Sequence, residues 1–77
     1  MTLDQIKHLI AKEFNFDITT LSRDTRLEED LNIDSLDAVE LVMELEDTFQ
    51  LSISDEIAQT FKTIGHIADF VAEKIGS

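Results

Sequence analysis

Asp34-Ser35-Leu36-Asp37-Ala38-Val39-Glu40-Leu41-Val42-Met43-Glu44-Leu45-Glu46-Asp47-Thr48-Phe49 is the stretch that decides the fold. It contains no proline or glycine, and it opens on Asp34 and Ser35, both residue types that cap helix N-termini. At helical spacing Ala38, Leu41, Val42, Leu45 and Phe49 gather on one side as a core stripe. The segment therefore reads as a helix of roughly four turns with Ser35 at its mouth. Its opposite side carries Leu36, Val39 and Met43 among Asp37, Glu40, Glu46 and Asp47. A helix with one buried face needs no apolar residues on its back, so these three read as a docking strip, and the flexible Met43 suits adaptable contacts. In the competing arrangement, the loop ahead of Ser35 folds back and covers the strip.

The flanking segments are also helical. Toward the N-terminus, Thr2 and Gln5 have the form of a capping box, and Leu3, Ile6, Leu9, Ile10 and Phe14 share one side of a helix running from about Leu3 to Phe14. Residues 15–34 follow neither helical nor strand period but supply Phe16, Ile18, Leu21, Leu27, Leu31 and Ile33 at intervals. That pattern predicts a long ordered loop pinned to the bundle by its apolar side chains. Toward the C-terminus, Ser54 can cap a short helix carrying Ile57, Ala58 and Phe61 and ending near Lys62. Thr63 can cap a last helix with Ile64, Ile67, Ala68, Val71 and Ile75 on one face and Gly76 at its end. The prediction is an all-α four-helix bundle with three long helices, one short helix and a long first loop, forming a single domain over residues 1–77.

Composition narrows the function. A chain of 77 residues buries roughly 60% of its unfolded surface, enough for one modest core but not for a deep enclosed catalytic cleft as well. An enzyme is therefore not expected. The absence of cysteine excludes disulfides, thiolate zinc sites and intrinsic thiol chemistry. No apolar run approaches the roughly 18 residues needed for a membrane span, and the N-terminus has no secretion-signal pattern, so a soluble, cytoplasmic protein is expected; a monomer is expected as well. The formal net charge is -11, which repels nucleic acid and favours partners with basic surfaces.

The charge is segregated. Residues 27–61 hold Glu28, Glu29, Asp30, Asp34, Asp37, Glu40, Glu44, Glu46, Asp47, Asp55 and Glu56 and not one lysine or arginine, while the remainder of the chain balances acids against bases. Self-repulsion among these carboxylates opposes compactness, and docking a basic partner offsets it.

The run Asp34-Ser35-Leu36-Asp37, followed by the acidic helix and preceded by Asp30-Leu31, closely resembles the acyl carrier protein family, and the resemblance spans essentially the whole chain. In that family the serine of the Asp-Ser-Leu triplet carries a covalent 4'-phosphopantetheine arm derived from coenzyme A. The resemblance implies that Ser35 is the attachment site. It implies that a phosphopantetheinyl transferase installs the arm, and that the chain then carries acyl groups as thioesters in fatty acid or related polyketide and lipid biosynthesis. It further implies that Asp34, Asp37, Glu40, Glu46, Asp47 and Glu56, with Leu36, Val39 and Met43, meet basic docking patches on acyl-transferring and chain-elongating enzymes. Val42, Leu45, Ile53, Ala58, Phe61 and Ile67 are the implied lining of an acyl-chain pocket between the second and third helices. The chain departs from the family where Asn32 and Gln50 stand at frequent glycine positions, Ser54 at a frequent proline and the bulky Phe61 at an aliphatic position. Asn32 tolerates the left-handed backbone that glycine would allow.

Physical chemistry supports attachment at Ser35 independently, because the free N–H groups at a helix mouth attract the phosphodiester that the arm would leave. Other roles fit less well. As a hydrolase nucleophile Ser35 lacks the flanking glycines of a Gly-x-Ser-x-Gly elbow, and His8 and His66 map to polar helix faces away from it. Asp30, Asn32 and Asp34 begin a calcium-loop spacing, but Ser35 replaces its glycine and Leu41 its closing glutamate, so no metal site is expected. The alternatives to an acyl carrier are an unmodified acidic interaction module, with Ser35 only a cap, and a carrier of aminoacyl groups.

Overall fold

The computed structural model describes residues 2–76. Four α-helices follow in order: α1 (Thr2–Phe14), α2 (Ser35–Phe49), α3 (Asp55–Ala58) and α4 (Ile64–Ile75). The described residues form no strand beyond one isolated bridge between Arg26 and Thr63. The helices enclose one apolar core in which Ile6, Ile10, Leu45, Ile64, Ile67 and Val71 are almost fully removed from solvent. At about 25 cal/mol per Å² of apolar area, such burial is the main favourable contribution to folding.

The long loop is ordered for the reason its apolar spacing suggested: Leu21, Leu27, Leu31 and Ile33 are all buried in that core. A short 3-10 turn, Ile18–Thr20, interrupts it, capped by Asp17, whose carboxylate accepts the Thr19 N–H at 3.0 Å and the Thr19 hydroxyl at 2.8 Å. These bonds hold the Asp17 carboxyl below its ordinary pKa. The loop is also stitched to the start of α4. Leu27 N–H donates to Lys62 O at 3.0 Å, Ile64 N–H to Thr25 O at 3.0 Å and Gly65 N–H to Arg23 O at 2.9 Å. Gly65 suits this approach, since a Cβ there would lie 3.0 Å from the Arg23 carbonyl oxygen and the junction would have to give by a few tenths of an ångström. Across the same junction Arg23 pairs with Asp69 at 2.6 Å.

Three departures from the sequence expectation have local causes. Helix α3 stops at Ala58 instead of continuing to Lys62, because Thr60 N–H and Phe61 N–H donate to Ile57 O and Ala58 O and tighten the chain into a turn. The Thr60 hydroxyl donates to the same Ile57 carbonyl at 2.6 Å, and Phe61 leaves the helix to pack its ring against Phe70. Second, Ile57, carried on the short helix, and Ile75, expected on the apolar face of the last, are 36% and 42% exposed, since α3 is a single turn and Ile75 is the final residue of α4 before its Gly76 cap. Third, Ala38, expected in the core stripe of α2, is exposed. The first turn of α2 projects past the core, so the stripe begins at Leu41. Helix α1, Thr2–Phe14, matches the expected span from about Leu3 to Phe14.

The two uncommon turn residues behave as glycines would. Asn32 has φ 57° and Gln50, the C-cap of α2, φ 54°, both left-handed. Asparagine visits that region readily, whereas glutamine pays a steric cost there.

Candidate functional site

The loop delivers Ser35 to the surface through a hub at Arg26. The Arg26 carbonyl accepts the N–H groups of Asp30 and Leu31, and Ile33 N–H donates to Leu27 O, all within 3.2 Å. In return Asp30 Oδ2 accepts the Arg26 N–H at 2.8 Å, and the guanidinium lies 3.3 Å from Asp30 Oδ1 and 3.6 Å from Glu29. The Arg26 backbone and side-chain bonds lower the Asp30 pKa. With Leu31 and Ile33 buried, the chain after Ile33 turns outward and α2 starts at the surface.

Of the two capping candidates, Asp34 is the N-cap. Its Oδ1 accepts the Asp37 N–H at 2.9 Å, and Asp37 Oδ2 accepts the Asp34 N–H at 3.4 Å, a reciprocal capping box. Because Asp34 satisfies the cap, Ser35 is the first helical residue, exposed, and its hydroxyl makes no hydrogen bond among the described residues. The N–H groups of Ser35 and Leu36 have no intrahelical acceptor at this position. The site therefore presents a free hydroxyl beside unpaired backbone donors, the arrangement that accommodates a phosphodiester.

Two open grooves meet at Ser35. One, of about 550 Å³, runs between α2 and α3 and is walled by Ala38, Val42, Met43, Ile53 and Ala58. The other, of about 660 Å³, lies toward the loop and is walled by Leu27, Ile33, Ala58, Phe61 and Lys62. Of the side chains expected to line an acyl pocket, Val42, Ile53 and Ala58 border the first groove and Phe61 the second. Leu45 and Ile67 are sealed in the core at 0% exposure and border neither. Gln59, unremarked in the sequence, and Ala38, expected in the core stripe, border both grooves, as does Ala58. The signal for Ala38 was its spacing of three residues from Ser35, which places it one turn below the hydroxyl.

Leu36, Val39 and Met43 are 79%, 59% and 60% exposed, so the loop does not fold over them. Asp34, Glu40, Asp47 and Glu56 are exposed around this strip. Asp37 and Glu46 are half-buried and engaged in the fold: Asp37 in the capping box, Glu46 through Oε2, which accepts the Ile53 N–H at 2.7 Å and ties α2 to the segment before α3. Nothing in the residue pattern announced that bond. Neither histidine is hydrogen-bonded to Ser35 among the described residues. His8 Nδ1 lies 2.8 Å from the Asp4 carbonyl oxygen, and His66 caps α4.

Comparison with known proteins follows the same lines. The family model described as "Phosphopantetheine attachment site" matches residues 4–71, and the exposed hydroxyl, free N–H groups and adjoining grooves fit such an arm. The acyl carrier protein of Onion yellows phytoplasma (strain OY-M) is 49% identical over 95% of this chain and 96% of its own length. That of Picosynechococcus sp. is 38% identical over 96% of this chain and 91% of its own. Among solved structures, an acyl carrier protein from Mycobacterium tuberculosis superposes with TM-score 0.89 at 32% identity over 96% of this chain and 99% of that one. The acyl carrier protein from Enterococcus faecalis superposes with TM-score 0.80, also at 32% identity, over 94% of this chain and 91% of that one. These relatives are carriers rather than catalysts, and no helix among the described residues is long and apolar enough to cross a membrane. With the attachment-site model spanning most of its length and such relatives aligned nearly end to end, this chain belongs to the acyl carrier protein family.

Proposed function

We propose that Ser35 bears the 4'-phosphopantetheine arm and that the chain, itself performing no bond chemistry, carries acyl groups for fatty acid synthesis and docks its partner enzymes through α2. The observation that carries this reading is the division of labour at the helix mouth: Asp34 makes the cap, which leaves Ser35 exposed and its hydroxyl without a hydrogen bond among the described residues. The arm supplies the thiol that this sequence lacks, and acyl groups are held on it as thioesters. The chain's own residues position and shelter. Ser35 and Leu36 N–H groups face the phosphodiester, and Val42, Ile53 and Ala58 offer an apolar berth in the groove between α2 and α3. Leu45 and Ile67 join that berth only if a long acyl chain parts the core.

Leu36, Val39 and Met43 form the apolar centre of the docking surface, ringed by Asp34, Glu40, Asp47 and Glu56, with Asp37 and Glu46 contributing charge from within their hydrogen bonds. Basic patches on the phosphopantetheinyl transferase and on acyl-transferring and chain-elongating enzymes complement it. The chain operates in this role as a cytoplasmic monomer of one domain. An unmodified acidic module is not favoured, given the match to an attachment-site model. The test is an amide chemical-shift footprint of a chain-elongating enzyme on the arm-bearing protein. Shifts centred on Leu36, Val39, Glu40 and Met43 support the reading; a footprint on α1 that spares α2 overturns it.

A further inference from the structure

The turn from α3 into α4 is closed by an imidazole. His66 occupies the third position of α4, where glutamate or glutamine usually completes a capping box. Its Nδ1 accepts the Lys62 N–H at 3.1 Å and the Thr63 N–H at 3.3 Å, while Thr63 Oγ1 accepts the His66 N–H at 3.2 Å. A ring nitrogen accepts only through its lone pair, so this geometry requires the neutral ring with its proton on Nε2. The side chain is exposed, and a proton reaches it without local unfolding.

The segment so held is a structural junction. Lys62 O accepts the Leu27 N–H, and Thr63 bridges to Arg26. Ala58, Phe61 and Lys62 also form one wall of the larger groove that reaches Ser35. We propose that His66 is a proton-sensitive latch: protonation at Nδ1 removes the acceptor shared by Lys62 and Thr63, loosens residues 59–63 and widens the groove beside Ser35. The step takes up one proton from solvent and exchanges two N–H···N bonds for bonds to water. The latch is independent of whether Ser35 carries an arm.

The surrounding charges do not restore it. Asp69 lies one turn further along α4 and attracts an imidazolium, but Arg23 from the loop already holds its carboxylate at 2.6 Å. Arg26 is occupied by Glu29 and Asp30, and Lys62, in the turn itself, repels a cationic ring. The N-terminal end of the α4 dipole also disfavours positive charge there.

Histidines ordinarily change charge between about pH 8 and 5, which sets the range for the test. The full chain is followed by NMR across that range, reading the His66 ring, the Lys62 and Thr63 amides, and the groove residues Ala58 and Phe61. Hydrogen-exchange protection of Lys62 and Thr63, corrected for intrinsic rates, is expected to fall about fivefold with the midpoint of the ring, with Ala58 and Phe61 shifting in step. His66→Gln keeps an acceptor that does not titrate, so its profile stays flat; if that variant fails to fold, His66→Glu, ionised throughout the range, serves the same purpose. Protection that is unchanged through the ring titration, or an equal fall in the folded variant, overturns the latch.

Discussion

Replacing Leu36 by alanine separates docking from folding. The side chain is 79% exposed, so only about a fifth of it contributes to the folded core. Full burial of a leucine is worth roughly 1.5–3 kcal/mol, which puts the folding cost of Leu36→Ala at about 0.3–0.6 kcal/mol. The exposed four-fifths becomes available when a partner covers it, a loss of about 1–2 kcal/mol in docking, or about 5–30-fold in kcat/KM. Leu45→Ala on the buried side of the same helix is the counterpart. At 0% exposure its removal leaves a cavity and costs about 2–5 kcal/mol of stability. Urea denaturation measures the folding cost, and steady-state kinetics of a phosphopantetheinyl transferase measure the docking cost. Loss of more than about 1.5 kcal/mol of stability in Leu36→Ala would place the side chain in the core. Unchanged kcat/KM with intact stability would remove it from the docking surface.

Other perturbations test the frame that holds the site. Gln50→Gly relieves the left-handed backbone at the end of α2 and is expected to stabilise the protein by about 0.5–1 kcal/mol in urea denaturation; destabilisation would mean that the Gln50 bond to the Asp47 carbonyl outweighs the strain. Gly65→Ala sets a Cβ against the Arg23 carbonyl, and a loss of about 1–2 kcal/mol is expected despite alanine's better helix propensity, with a gain in Tm contradicting the tight junction. Asp30 is held below its ordinary pKa by bonds to Arg26, so its contribution to stability is fully present above the usual carboxylate range and lost as pH falls through its folded value. The stability gap between the wild type and Asp30→Asn should therefore narrow on acidification, and a gap constant to strongly acidic pH would refute the assignment.

Periodicity made the helices legible. The stripes on α1, α2 and α4 are long and regular, and the apolar beads of residues 15–34 announced a pinned loop. Competition between hydrogen bonds that sequence does not display decided the rest. Asp34 and Ser35 are equally good caps by residue type, and only the reciprocal bond with Asp37 selects Asp34 and frees the serine. Phe61 fitted the spacing of a longer α3, but the Thr60 turn and the Phe70 ring drew it away. Glu46 looked like one more surface acid, and its bond to Ile53 depends on how the segment before α3 returns toward α2. Gly65 and His66 carry meaning only once the loop and α4 meet. The grooves at Ser35 likewise arise from where α3 stops, a boundary set by the tight turn through Thr60 and Phe61.

The most direct measurement is the intact mass of the wild type and Ser35→Ala after incubation with coenzyme A and a transferase proven active on another carrier. A gain of one phosphopantetheinyl group by the wild type and none by the variant is the predicted result. An unmodified wild type, or a variant modified as readily as the wild type, would contradict the assignment of Ser35 as the tether.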